Sequence, residues 1–75
     1  MKILNYKVIM TPDVTGGYTV ICPALPGLVT EGDTLDESRE MAADAIRCYL
    51  ESLQMDGEPI PTDKSITEEV TVEIA

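Results

Sequence analysis

The side chains that could do chemistry in this 75-residue chain are carboxylates and thiols. It has fourteen Asp and Glu residues and two cysteines, Cys22 and Cys48, but no histidine. A cysteine nucleophile needs a neighbouring general base, which is most often histidine. Because that base is missing, we interpret both cysteines as small apolar packing residues. Histidine is also the commonest metal ligand, so the sequence predicts no catalytic residue, no cofactor and no metal.

The carboxylates lack the placement that a metal-dependent nuclease needs. Two-metal cleavage requires acidic side chains that converge on a pair of ions, normally from strands and a facing helix. Residues 3–11, the predicted central strand, contain no Asp or Glu. Asp13 falls in the turn beyond this strand, and Asp33 precedes the predicted helix. The pattern argues against a nuclease, and we predict that the protein is not an enzyme.

The chain is strongly acidic, with a net charge of −9 and a pI near 4.1. Residues 35–75 carry −8 of this charge. Such a surface repels phosphate backbones, so direct binding of nucleic acid is not expected. It attracts basic proteins instead. The acidic composition is compatible with a basic protein partner. The simpler explanation of the negative charge is that it only keeps the protein soluble.

Some of these carboxylates form an acidic row on the predicted helix. Asp36, Glu40 and Asp44 are four residues apart, and Glu51 continues the same side. Like charges at this spacing destabilise an isolated helix by about 0.2–0.5 kcal/mol per pair. We predict that the row binds a basic partner, and the alternative is an ordinary solvated helix face. A second candidate contact consists of three glutamates near the end of the chain, Glu68, Glu69 and Glu73.

Hydrophobic periodicity predicts four strands and one helix. The predicted strands cover residues 3–11, 18–22, 28–31 and 66–74. Apolar residues recur every three or four positions over residues 35–55, which predicts an amphipathic helix. Thr34 and Glu37 match a capping box at its start. Gly57 is a natural stop at its end.

The order β-β-β-α-β predicts an α+β fold in a single domain over residues 1–75. One helix packs on one face of a four-stranded mixed sheet, as a two-layer sandwich. A right-handed crossover through the helix places the fourth strand parallel to the first, which gives the strand order 3-2-1-4. This arrangement is an abbreviated form of the ribonuclease H sheet, by analogy only.

The second face of this sheet has no helix to cover it. The strand alternation places Ile3, Ile9 and Ile21 on that face, joined by Val29. Clustered apolar residues on adjacent strands often mark an interface. We predict a homo-oligomer, a dimer or tetramer, formed by back-to-back sheets or by pairing of an exposed strand edge.

The N-terminus turns polar at Asn5 and Lys7, so we expect no signal peptide. No apolar run approaches the roughly 20 residues that a membrane span needs. Two cysteines do not make a disulfide framework. We therefore expect a cytoplasmic protein with reduced thiols and no membrane contact.

The segment from Gly17 to Thr34 contains Pro23-Ala24-Leu25-Pro26-Gly27 and then Gly32-Asp33-Thr34, ahead of the predicted helix. In this order the motifs closely resemble the HicB antitoxin family, over nearly the whole chain. The resemblance implies a partly ribonuclease-H-like domain that binds and neutralises a HicA toxin, a small basic ribonuclease that cleaves messenger RNA. It also implies assembly as a dimer or tetramer.

The chain departs from the family pattern in two places. Ser38 stands where alanine is usual on the helix. Many members also carry a C-terminal helix-turn-helix or ribbon-helix-helix module, and we expect no such DNA-binding module before Ala75. The alternative to an antitoxin is a solitary oligomeric binding or regulatory module with no toxin partner.

Overall fold

A computed structural model describes residues 3–75 of the chain. Three strands, β1 (Ile9–Pro12), β2 (Tyr18–Ile21) and β3 (Val29–Gly32), precede one helix, α1 (Leu35–Met55). The α+β class is therefore confirmed, with a helix against a small antiparallel sheet. None of the helices in this part of the chain is long and apolar enough to cross a membrane.

The sheet is antiparallel, with the order β1-β2-β3. The turn between β1 and β2 closes with a hydrogen bond from the Asp13 N–H to the Gly17 carbonyl at 2.9 Å. Gly16 and Gly17 have φ values of 93° and 79°, which residues with a side chain rarely adopt. This paired glycine lets β2 return directly alongside β1.

The core lies between the sheet and α1. Val20 and Leu25 are fully buried, and Cys22 and Leu28 nearly so. Leu25 reaches the core because two successive turns surround it: its N–H donates to Cys22 at 3.0 Å, and its carbonyl accepts from Leu28 at 3.2 Å. Cys22 is a packing residue, as predicted. Cys48 is exposed on the helix, so its interpretation as a packing residue was wrong.

Both ends of α1 are fixed by local hydrogen bonds, and its range coincides with the predicted one. The Thr34 hydroxyl accepts from the Glu37 N–H at 3.1 Å. The Glu37 carboxylate accepts from the Asp33 N–H at 3.0 Å, one residue earlier than in the usual capping box. At the other end, Gly57 has φ of 70°, and the Glu58 N–H donates to the Leu53 carbonyl at 2.9 Å. This is a Schellman cap.

The predicted four-stranded sheet is not formed. Residues 58–75 contain no strand or helix, and residues 64–75 are all exposed. The first strand is also shorter than predicted, since residues 3–8 lie outside β1. A period of two shows that a segment can present one apolar face to a sheet, but a strand also needs an edge to pair with. The sheet is therefore purely antiparallel in this part of the chain, and not mixed.

Candidate functional site

The four residues of the predicted acidic row are all exposed along α1. Asp36 forms an ion pair with Arg39, with 2.7 Å between Oδ1 and Nη1. Asp44 forms the same i,i+3 pair with Arg47 at 3.0 Å. These pairs are largely solvated, so each contributes little to stability. Their effect is electrostatic, because an arginine beside each of the two aspartates offsets part of the repulsion within the row.

Glu40 and Glu51 take part in none of the ion pairs found over residues 3–75. Their carboxylates are thus the more available ones in the row. Arg39 has a part in this site that sequence reasoning missed. The signal was present, since residues three apart on a helix are neighbours.

A second group of carboxylates surrounds a hollow of about 310 Å³ at one end of the sheet. The hollow lies where the β1–β2 turn meets the end of β3 and the start of α1. Its acidic lining consists of Asp13, Glu31, Asp33 and Glu37. The acidic hollow was not predicted from the sequence, because it forms where the strand register, with Tyr18 opposite Gly32, brings the two turns together. Over the described residues, no three Asp, Glu or Cys side chains are placed to hold a metal ion.

Three of the four predicted self-association residues form one back-face row. Ile21 pairs with Ile9 on one side and with Val29 on the other, so the three side chains share a face of the sheet. They are 40%, 50% and 65% exposed, respectively. Ile3 does not join them, since it lines a groove beside α1. Whether this back-face row is an interface stays a prediction.

The groove beside α1, which we call the apolar groove, has a volume of about 580 Å³ and lies between residues 3–10 and one side of the helix. Val8, Met10, Ile46 and Leu50 contribute apolar side chains to it. The groove exists because α1 packs mainly over β2 and β3 and leaves the β1 side of the layer uncovered. The groove was not predicted from the sequence, because the predicted fourth strand would lie beside β1 on this side.

The loop after α1 is held against the segment before β1 by Asp63. Its carboxylate accepts from the Lys7 N–H at 2.6 Å and from both the hydroxyl and the N–H of Ser65. These hydrogen bonds, that of the Ser65 hydroxyl above all, lower the pKa of Asp63 from 3.8 to about 2. The Tyr6 hydroxyl donates to the Pro61 carbonyl beside it. Burial raises the pKa of Tyr6, and the charges of Cys22 and Asp63 add to this effect.

Residues 6–73 match the family described as the HicB-like antitoxin of bacterial toxin-antitoxin systems. The chain belongs to this family. Two proteins named antitoxin HicB support the assignment. "Antitoxin HicB 1" of Photorhabdus laumondii is 41% identical over 61 residues, and antitoxin HicB of Escherichia coli K12 is 36% identical over 58 residues. These alignments cover 81% and 77% of this HicB-like chain, but 39% and 42% of the relatives.

Shorter relatives align over almost their full length. A UPF0150 protein of Thermoplasma acidophilum is 46% identical over 69 residues, which cover 92% of this HicB-like chain and 97% of the relative. A UPF0150 protein of Synechocystis is 34% identical over 71 residues, or 95% and 90% of the two chains. Membership of an antitoxin family points to a regulatory role without catalysis.

Proposed function

We propose that this protein is an antitoxin that binds and neutralises a small basic HicA-type toxin that cleaves messenger RNA. The observation that carries the proposal is the exposed acidic row on α1, in a family of toxin-antitoxin proteins. Nothing in this role requires the protein to do chemistry. It has to present a surface that a basic ribonuclease prefers to RNA.

The electrostatics of the row suit this task. A ribonuclease that binds RNA needs cationic side chains to contact phosphate groups. Exposed carboxylates compete for the same cations, and complementary charge also accelerates encounter. Glu40 and Glu51 offer their carboxylates directly. Asp36 and Asp44 release Arg39 and Arg47 when a toxin cation replaces them, which costs little because the pairs are solvated.

The acidic hollow extends this surface toward the start of the helix. Glu37 lines the hollow and lies in the first turn of α1 with Asp36 of the acidic row. Their side chains point about 100° apart around the helix, so a basic partner that reaches around this end of α1 contacts both groups of carboxylates. We infer that the toxin's RNA-binding surface is covered from this end of the molecule, and that RNA is thereby excluded.

The test replaces Glu40 and Glu51 with lysine, because neither carboxylate belongs to an ion pair described above. The matched control replaces Asp56 and Glu58 with lysine, which changes the net charge by the same amount beyond the end of α1 and outside every candidate contact. Both variants should keep their free energy of unfolding within about 1 kcal/mol of the wild type. Binding to the cognate toxin should weaken at least tenfold only for Glu40→Lys/Glu51→Lys, with a lower association rate and a weaker dependence on salt.

The growth of cells that express the toxin provides the second measurement. Co-expression of the wild type or the control should restore growth, whereas the helix variant should not. Equal loss of binding in both variants would mean that net charge, and not the acidic row, determines affinity. Full neutralisation by the helix variant would show that the row is only a solvated face.

A second candidate is a solitary oligomeric binding or regulatory module. The observation that favours it is that short relatives named UPF0150, and not antitoxin, align with the chain over 97% and 90% of their length. The two candidates differ in their genomic setting. A neighbouring reading frame that encodes a short basic protein with a histidine would support the antitoxin. If that basic protein does not bind the purified HicB-like protein, the result supports the solitary module.

A further inference from the structure

Over the described residues, the outer edges of both β1 and β3 are left without a backbone partner, and the β1 edge is the one that lies beside the apolar groove. Over residues 3–75, β1 pairs with β2 along one side, and no strand lies along its other side. The apolar groove opens beside that edge. An open edge next to an apolar groove is a template for an added strand.

The end of the chain has the pattern of a strand but no sheet to join. Ile66, Val70, Val72 and Ile74 alternate along it and are 82%, 81%, 76% and 90% exposed. The radius of gyration is 14.7 Å, against about 11 Å for a compact domain of this length. Residues 66–74, which we call the tail, therefore extend away from the body and expose their apolar side.

We propose that the tail of one copy pairs with the free β1 edge of a second copy, and that the exchange is reciprocal. Val70, Val72 and Ile74 then pack into the partner's apolar groove against Met10 and its neighbours. The product is a two-fold symmetric dimer in which each sheet gains its fourth strand from the other chain. This inference goes beyond the proposed antitoxin function and does not depend on it.

The tail is longer than the β1 edge, and the apolar groove continues beyond that edge. A strand rises about 3.3 Å per residue, so the nine-residue tail spans about 30 Å. β1 supplies a backbone edge of four residues, and the apolar groove continues from Met10 back to Ile3 along the segment before it. Part of the tail can therefore pair with β1 while the rest follows the groove.

The charges are complementary as well. Glu68 is the one charged residue on the apolar side of the tail, since it shares the parity of Ile66 and Val70. The apolar groove contains two cationic residues, Arg39 and Arg47. A tail seated in the groove brings Glu68 toward a cation, whereas Glu69 and Glu73 on the other side of the tail stay in water.

The anchor at Asp63 indicates why a second copy, and not the same chain, is the occupant. Tyr6 and Lys7 hold residues 61 and 63 beside the start of the β1 edge. Beyond this point the tail pairs with no strand of its own chain, β1 included, and is exposed along its whole length. A second copy offers the same edge to that unpaired tail, and symmetric exchange of an identical element is a low-cost route to a dimer.

Disulfide trapping tests the proposal directly. In a Cys48→Ser background, one tagged copy carries Met10→Cys and another carries Val70→Cys, Val72→Cys or Ile74→Cys, which samples the register. After mild oxidation with glutathione, we expect a crosslink between the two differently tagged copies. A crosslink confined to one chain in a single-chain double variant would overturn the exchange and support a fourth strand from the same chain. No crosslink at any of the three positions would also overturn it.

Sedimentation analysis provides an independent readout. Val72→Lys should raise the dimer dissociation constant at least tenfold. Thr71→Lys, its matched control, adds the same charge to the opposite side of the tail and should leave the dimer intact. Equal dissociation constants for these two variants, or a wild-type monomer at high micromolar concentration, would contradict the proposal.

Discussion

Gly32 at the end of β3 lies so close to Ser38 in the first turns of α1 that no side chain fits between them. A Cβ at Gly32 would be 2.6 Å from both the backbone nitrogen and the hydroxyl oxygen of Ser38. Ser38 is itself fully buried. The contact sets how near the helix approaches the sheet, and it makes the two positions depend on each other.

Gly32→Ala should therefore destabilise the protein by about 3 kcal/mol, because the new methyl group meets backbone atoms that cannot move independently. Chemical unfolding with urea measures this change. Gly57→Ala is the control, since open space surrounds that glycine. It should cost only the strain of a positive φ, about 1 kcal/mol. Equal costs at the two positions would show that the β3–α1 contact is not tight.

Ser38→Ala should be neutral or raise the free energy of unfolding by about 0.5–1 kcal/mol. The buried hydroxyl of Ser38 has no hydrogen-bond partner over the described residues, and a buried unsatisfied group is unfavourable. Alanine also has the higher helix propensity. Ser38→Val should instead cost about 1–3 kcal/mol, because a larger side chain is forced against Gly32. A clear loss of stability in Ser38→Ala would point to a hydrogen bond that the hydroxyl makes.

The contribution of Asp63 to stability should depend on pH. Because folding lowers its pKa from 3.8 to about 2, the folded state favours the ionised carboxylate. This contribution is fully present above about pH 4 and is lost as the pH falls toward 2. Urea unfolding across this range should show that the wild type loses its advantage over Asp63→Asn as the pH falls. Ser65→Ala removes the largest cause of the shift and should weaken the pH dependence. A constant difference between wild type and Asp63→Asn would contradict the shift.

We predict that the back-face row is a surface for assembly in addition to the proposed tail exchange. Burial of a lysine in this contact is unfavourable, so Ile21→Lys should dissociate a tetramer into dimers. The stability of each subunit should change by less than about 1 kcal/mol, since Ile21 is already 40% exposed. Val14→Lys adds the same charge in the fully exposed β1–β2 turn and should not change the mass. Light scattering distinguishes the outcomes, and an unchanged mass for Ile21→Lys would remove the row as an interface.

The sequence predicted the helix well because its determinants are local. Thr34 and Gly57 act through hydrogen bonds that span only a few residues, so their effect can be read from the chain itself. The fourth strand was predicted incorrectly for the opposite reason. The alternation from Ile66 to Ile74 describes one face of a segment, but it contains no information about which edge that face meets.

The candidate site divides in the same way. Exposure of Glu40 and Glu51 follows from helical periodicity, and the Asp36–Arg39 pair could have been predicted from its spacing. The acidic hollow could not, because Asp13 and Glu37 are distant in sequence and meet only through the strand register. The apolar groove could not be predicted either, because it depends on the last residues of the chain leaving the side of β1 uncovered.

The connectivity of the body has a consequence for the order of folding. β1 pairs with β2 and β2 with β3, each time through a short connection, whereas α1 shares its core with Tyr6 and Val8 far back in the chain. The strand pairings close the shorter loops and therefore cost less conformational entropy. The link between Tyr6 and Pro61 spans 55 residues and belongs to a later stage. We therefore expect the pairing of β1, β2 and β3 to form early in folding, and the contacts that join the two ends of the described chain to form later.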